Sequence, residues 1–221
     1  MLAMMLSRIP IVRQKVPSNS KKTTNSTVGW GGLPTCSALD GLSKAERKEQ
    51  GHSTGVIRLT FASSFMVSEN LSLSDVKALA GHTEPEPWLK FLDVSVYVVV
   101  EFVPTTNSYQ DGNVVAEDVY ENMYHDVERE EADKYISRLR PHSMYTFAAK
   151  TRSAAWRKIP VAYLVCENDK AIPVAVQDAL VEGARKEGAE VVVERVAASH
   201  SPYISQPKAV ADFLLRAAGG H

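Results

Sequence analysis

Two stretches near the C-terminus decide how this chain folds: Ile159–Pro173, IPVAYLVCENDKAIP, and Val191–Tyr203, VVVERVAASHSPY. Two apolar runs, Val161–Cys166 and Val191–Val196, have the length and β-branched content of strands, and the first is continuous, of the kind buried on both faces of a parallel sheet. Between them Val176, Leu180 and Ala184 recur at helical spacing behind Pro173, and Gly188 stops the helix. Glu182 is expected to pair with Lys186 one turn on. Asp169 follows the first strand and His200 follows the second. Both therefore stand at strand ends, where an open α/β sheet presents the groups that meet a ligand.

Working outward, Ser205 is expected to cap a last helix carrying Val210, Phe213, Leu214 and Ala217 on one face, ended by Gly219-Gly220. Upstream, Val28-Gly29-Trp30-Gly31-Gly32 permits a very tight turn. A helix is expected over Ser37–Gln50, with Leu39 and Leu42 inward and Gly51 as its stop, followed by a strand at Val56–Phe61 extended by Ala62. Turn, helix and strand make most of a βαβ unit. The element that should precede the turn is missing from this reading, because Ile9-Pro10-Ile11-Val12 is short and broken by proline.

The bulk properties exclude several classes. A chain of 221 residues, 44% hydrophobic and 23% charged, has the composition of a folded globular protein and no apolar run of membrane-spanning length. A net charge of -1 leaves no basic face for nucleic acid. Cys36 and Cys166 cannot build a disulfide framework, and a reducing interior is the expected setting. The first 39 residues hold Arg8, Arg13, Lys15, Lys21 and Lys22 and no acid, a pattern weakly similar to a mitochondrial presequence. The expectation is a cytoplasmic protein with a disordered or misassigned leader over 1–27.

At Gly29–Met66, GWGGLPTCSALDGLSKAERKEQGHSTGVIRLTFASSFM, the chain resembles small α/β-hydrolases of the esterase and hydroxynitrile-lyase-like type, especially fungal members, from the nucleophile elbow to the next strand. MYHDVEREEADKYISRLRPHS at 123–143 resembles their cap, ENDKAIP their acid loop and SHSPYISQP their histidine loop. The resemblance covers most of 28–93 and 111–218. It implies a partial α/β-hydrolase fold, a mostly parallel sheet flanked by helices, with the core in 28–66 and 156–221 and a helical cap inserted over 67–155. It also implies hydrolysis of a small ester or related carbonyl compound. In that scheme His200 is the general base, Asp169 orients it, and the backbone N–H of Trp30 gives one oxyanion bond. Chain order in the family is Ser, acid, His; here Gly29 occupies the serine position and has no side chain with which to attack.

Ser26 lies three residues before the elbow position, and Cys36 and Ser37 lie well into the following helix, so none is expected to occupy the strained turn that presents a nucleophile. The second oxyanion donor comes, in such enzymes, from an early loop for which no residues are found before position 28. An impaired hydrolase is thus expected, or alternatively a pseudoenzyme or fragment that binds a small apolar ligand; a nucleotide-binding reading fails because GWGG lacks the GxGxxG spacing. No cofactor is expected, and His125-Asp126 with His142 lacks metal-ligand spacing. A sheet edge left uncovered would favour a homo-oligomer.

Within the cap, Asp118–Arg140 is expected to be helical, with Val119, Met123, Val127, Ala132, Ile136 and Leu139 at matching intervals and Pro141 as terminator. Val94–Val103, VSVYVVVEFV, is the strongest local strand signal, yet it falls inside that cap. Its codons admit another origin. Val94-Ser95 can be GTGAGT, Thr106–Ser108 can contain CTAAC and Gln110 can be CAG, so that 94–110 reads as an intron translated in frame. The competing expectation is a genuine cap hairpin.

Overall fold

The computed structural model of the protein describes residues 22–79, 88–92 and 112–219. Four parallel strands form the central sheet in the order β1-β2-β6-β7: β1 (Lys22–Gly29), β2 (Gly55–Ser64), β6 (Val161–Cys166) and β7 (Val191–Val196). The two C-terminal strands fall where the apolar runs place them. Every residue of β6 is buried, as a central parallel strand between two helical layers requires. Alternation along the strands sorts the core into two faces. Phe61, Val161, Tyr163 and Val165 pack with Trp156, Val181 and Ala184, the last two from α6 (Val174–Lys186). Ala62, Ala162 and Leu164 pack instead on Phe213, flanked by Val210, Leu214 and Ala217 of α8 (Pro207–Ala217).

The strand that the sequence reading lacked is β1. It runs directly into the glycine turn and pairs along its whole length with β2, Ser26 opposite Thr60 and Val28 opposite Ala62. Residues 22–27, expected to belong to the leader, are therefore part of the core sheet. Their sequence, KTTNST, conceals this: Thr23, Thr24 and Thr27 are β-branched, but no apolar residue appears before Val28.

Two helices replace the one expected over Ser37–Gln50. α1 (Gly32–Ala38) begins straight after the turn, and α2 (Lys44–Glu49) starts afresh at Ser43, whose hydroxyl accepts from Glu46 N while the Glu46 carboxylate accepts from Ser43 N. That reciprocal capping box restarts the helix and leaves Leu39–Leu42 as a turn. In α6 Glu182 pairs with Arg185, not Lys186. Ser205 lies in the short α7 (Pro202–Ser205) and Gln206 precedes α8 without a side-chain cap, so Ser205 is not the cap of the last helix.

The cap differs most from expectation. It contains a three-stranded antiparallel sheet, β3 (Leu89–Leu92), β4 (Asn113–Ala116) and β5 (His142–Ser143), beside the helical parts. Asp118–Arg140 is not one helix. A π-helical turn at Tyr120–Tyr124 is followed by α4 (Arg129–Ile136), which Glu128 caps by accepting from Glu130 N. The apolar spacing persists across the break because Val119, Tyr124, Val127 and Ala132 close into one small core. α3 (Leu73–Leu79) and α5 (Tyr145–Ala148) complete the cap and pack together.

The stretch 94–110 lies outside the described residues, but its flanks are paired: Leu92 stands opposite Asn113 across β3 and β4. A chain joining Asp93 to Asp111 would close that pair through Asp93-Asp111-Gly112, a three-residue hairpin loop ending on the glycine that such loops place in the left-handed region. Deleting 94–110 is expected to yield folded protein whose unfolding midpoint is no lower than that of the full chain. A deletion variant unable to fold would contradict this, as would an abundant mature transcript that retains those codons.

Candidate active site

The turn between β1 and α1 carries the site. Gly29 has φ +55°, a left-handed conformation that side-chain-bearing residues enter only under strain. Its carbonyl accepts two hydrogen bonds from the end of β2, from Phe65 N at 3.0 Å and from Ser64 Oγ at 2.8 Å. Tyr163 on β6 holds that strand end in place, donating to Ser64 O at 2.7 Å and accepting from Ser64 N at 3.0 Å. Gly32 lets α1 start hard against this floor, since a Cβ there would sit 1.9 Å from the Phe65 carbonyl oxygen.

His200 and Asp169 meet above the turn. Asp169 is 4% exposed and His200 8%. Asp169 Oδ1 accepts from Ala171 N at 2.7 Å and Ile172 N at 2.8 Å, and Oδ2 accepts from His200 Nδ1 at 2.8 Å and from the Ser63 hydroxyl. These four donors match the four lone-pair sites of a carboxylate. His200 therefore carries its proton on Nδ1 and presents the lone pair of Nε2 toward Gly29. A Cβ built on Gly29 would lie 3.2 Å from that Nε2. The structure places Gly29, Asp169 and His200 side by side, and Trp30 lines the same cavity.

Several supporting residues escaped the sequence reading. Ser63 has φ +40° at the end of β2 and places its buried hydroxyl between Asp169 and His200. Gln177, on the core face of α6, is fully buried; it bonds Cys166 N and O and Ile172 O, and so staples the acid loop at both ends. Asp126 accepts from Ser199 N at 2.8 Å while Ser199 Oγ donates to Met123 O at 3.0 Å, which ties the histidine loop to the cap. None carries a local pattern that points to its partner, and long-range contact reveals its purpose. Two of the alternative nucleophiles are unavailable for attack. Burial pushes the Cys36 thiol up to about 12, and Ser37 Oγ donates to Leu33 O and accepts from Arg152 N.

Above Gly29 and His200 lies a cavity of about 410 Å³ walled by both layers of the molecule. Trp30, Phe65, Trp88, Val114, Phe147 and Ile172 make it mainly apolar, with His200, His142 and Arg140 as its ionisable groups. No cluster of His, Cys, Asp and Glu among the described residues is arranged to hold a metal ion, and no described helix is long and apolar enough to cross a membrane.

A parallel sheet that delivers a left-handed turn, a buried acid and a histidine to one end, with a long segment inserted between β2 and β6, defines an α/β-hydrolase-type protein. Residues 30–213 match the profile of the alpha/beta hydrolase family, and the chain belongs to that family. It is similar to "Alpha/beta hydrolase nvfD" of Aspergillus novofumigatus, 33% identical over 104 residues that take in 47% of this chain and 40% of that protein. Among solved structures, polyneuridine aldehyde esterase superposes with a TM-score of 0.65 at 19% identity, covering 97% of this chain and 76% of that one. A methylesterase from Arabidopsis gives 0.59 at 17% identity, covering 99% and 75%. These two likenesses establish the fold.

Gly32→Ala is expected to destabilise the protein by about 3 kcal/mol, because the clash is with backbone that helix and strand both hold fixed; denaturant unfolding measures it. Asp126→Ala should cost about 1–3 kcal/mol by leaving Ser199 N without its partner. Hydrogen bonds from Ser199 and Ser205 outweigh burial and hold the Asp126 carboxyl below the usual range. A lowered folded-state value means that this contribution is present at neutral pH and is lost as pH falls through it. The gap between wild type and Asp126→Ala should accordingly narrow in acid.

Proposed function

We propose that this chain carries the acid–base half of a Ser-His-Asp ester hydrolase without its nucleophile. Its cavity takes a small ester or related carbonyl compound, and turnover is weak or absent because Gly29 stands where the serine would be. The observation that carries the reading is the 3.2 Å between His200 Nε2 and the Cβ position of Gly29, with no side chain there to deprotonate. Family membership supports hydrolase chemistry, and the relatives named esterase and methylesterase suggest the ester class.

In this reading His200 Nε2 takes a proton from the attacking group, and Asp169 keeps Nδ1 protonated and stabilises the resulting imidazolium. The Trp30 backbone N–H would donate to the developing oxyanion. Loss of a triad member leaves roughly 10³–10⁴-fold catalysis over water at best, and only where binding and oxyanion donors are intact. A non-catalytic reading is favoured by one observation of its own. The aromatic and aliphatic walls of the cavity remain assembled around a site that lacks its attacking group, as a binder of small apolar ligands requires.

The test is p-nitrophenyl acetate turnover by wild type, Gly29→Ser and Gly29→Ser/His200→Ala. Wild type is expected near the buffer rate. The serine variant should gain at least about 10²-fold in kcat/KM, and the double variant should lose that gain. Wild-type turnover equal to that of Gly29→Ser would sink the assignment of the nucleophile position.

A further inference from the structure

His142 begins β5 in the cap and lines the same cavity as His200. Its ring is stacked on Phe147, with centroids 5.4 Å apart and planes 27° from parallel, which fixes its orientation. Its protonation pattern follows from its neighbours. Thr146 is buried and its hydroxyl proton is committed to Ser143 O at 2.8 Å, so Thr146 Oγ1 must accept at its 3.0 Å contact with His142 Nδ1. The proton of the neutral ring is then on Nδ1, and Nε2 is left as an acceptor. The ring's other polar neighbour is the backbone of Ser143, the residue whose carbonyl takes the Thr146 proton. Burial pushes the ring below its ordinary value, which opposes protonation of Nε2 at neutral pH.

We infer that His142 is a specificity-determining residue, whose Nε2 accepts a hydrogen bond from a hydroxyl or N–H of the bound ligand at the cap side of a mainly apolar cavity. The inference rests on the proposed use of that cavity for a small ester and narrows the substrate class. The preferred compound is an apolar ester bearing one hydrogen-bond donor away from its carbonyl, not a pure hydrocarbon ester. The opposing polar group, His200 Nε2, is reserved for the reacting end. An acceptor desolvated by a donor-less ligand is left unpaired, so the site discriminates by rejection as well as by attraction.

Trp30 and Trp88 line the cavity whereas the third tryptophan, Trp156, is 1% exposed in the core, so intrinsic fluorescence reports occupancy. Methyl 4-hydroxyphenylacetate and methyl 4-methylphenylacetate differ by a hydroxyl against a methyl group of similar size. Wild type is expected to bind the hydroxylated ester about 10-fold more tightly. His142→Phe should bind both alike, and His142→Gln, which keeps an acceptor, should recover part of the preference. Nitrogen NMR of the unliganded protein should show Nδ1 protonated and Nε2 bare, with Thr146→Val removing that bias. Equal binding of both esters by wild type, or an undiminished preference in a folded His142→Phe, overturns the inference while leaving the cavity reading intact. A fluorescence response to neither ester overturns the cavity reading and this inference with it.

Discussion

The left-handed turn at Gly29 is the constraint on which the rest of the molecule depends. Its carbonyl is gripped by Phe65 N and Ser64 Oγ, and behind them Tyr163 holds the end of β2 through both backbone atoms of Ser64. Three adjacent strands thus converge on one peptide group. The same fixity sets α1 against the Phe65 carbonyl and brings the Cα of Gly29 beneath the imidazole of His200. A turn of this kind is costly to hold in most residues, and proteins retain such geometry where it serves a site. Here a glycine, which enters that conformation without strain, occupies it.

Asp169 and His200 are held as firmly as the turn. Asp169 has all four acceptor sites filled, two of them by the backbone of its own loop, and Gln177 pins that loop from inside the core. The histidine loop is fastened to the cap through Asp126 and Ser199, and the acid loop meets the cap again through Lys170 and Glu121. This arrangement serves a binding site as readily as a reacting one, because the interactions that orient the imidazole also close the apolar cavity above it.

How much of this could be read from residues alone follows from what each element is made of. β6 was legible because burial on both faces of a parallel sheet demands a continuous apolar run, and β7, an edge strand that tolerates Glu194 and Arg195, because it opens on three valines; Asp169 and His200 followed from standing at their ends. β1 was not, because Lys22–Thr27 is polar and its pairing with β2 is the only evidence that it is a strand. The break between α1 and α2 was legible in principle, since Ser43 and Glu46 have capping-box spacing, but Leu39 and Leu42 suggested one continuous face. In the cap, helical spacing survived an actual break in the helix, because Val127 and Ala132 reach the same small core from either side of Glu128. Ser63 and His142 carry no local signal. The first acts through contacts more than a hundred residues away, and the second owes its tautomer to a threonine hydroxyl whose proton is already spent.

The central claim is that the acid–base pair is assembled and the nucleophile is missing. Incubating the full chain with a fluorophosphonate, followed by peptide mass spectrometry, tests it most directly, because the reagent marks only an activated nucleophile that can reach the site. The account predicts no stoichiometric adduct on any residue of the wild-type chain. A single phosphonylated residue at full occupancy, whose labelling disappears in His200→Ala, would contradict it.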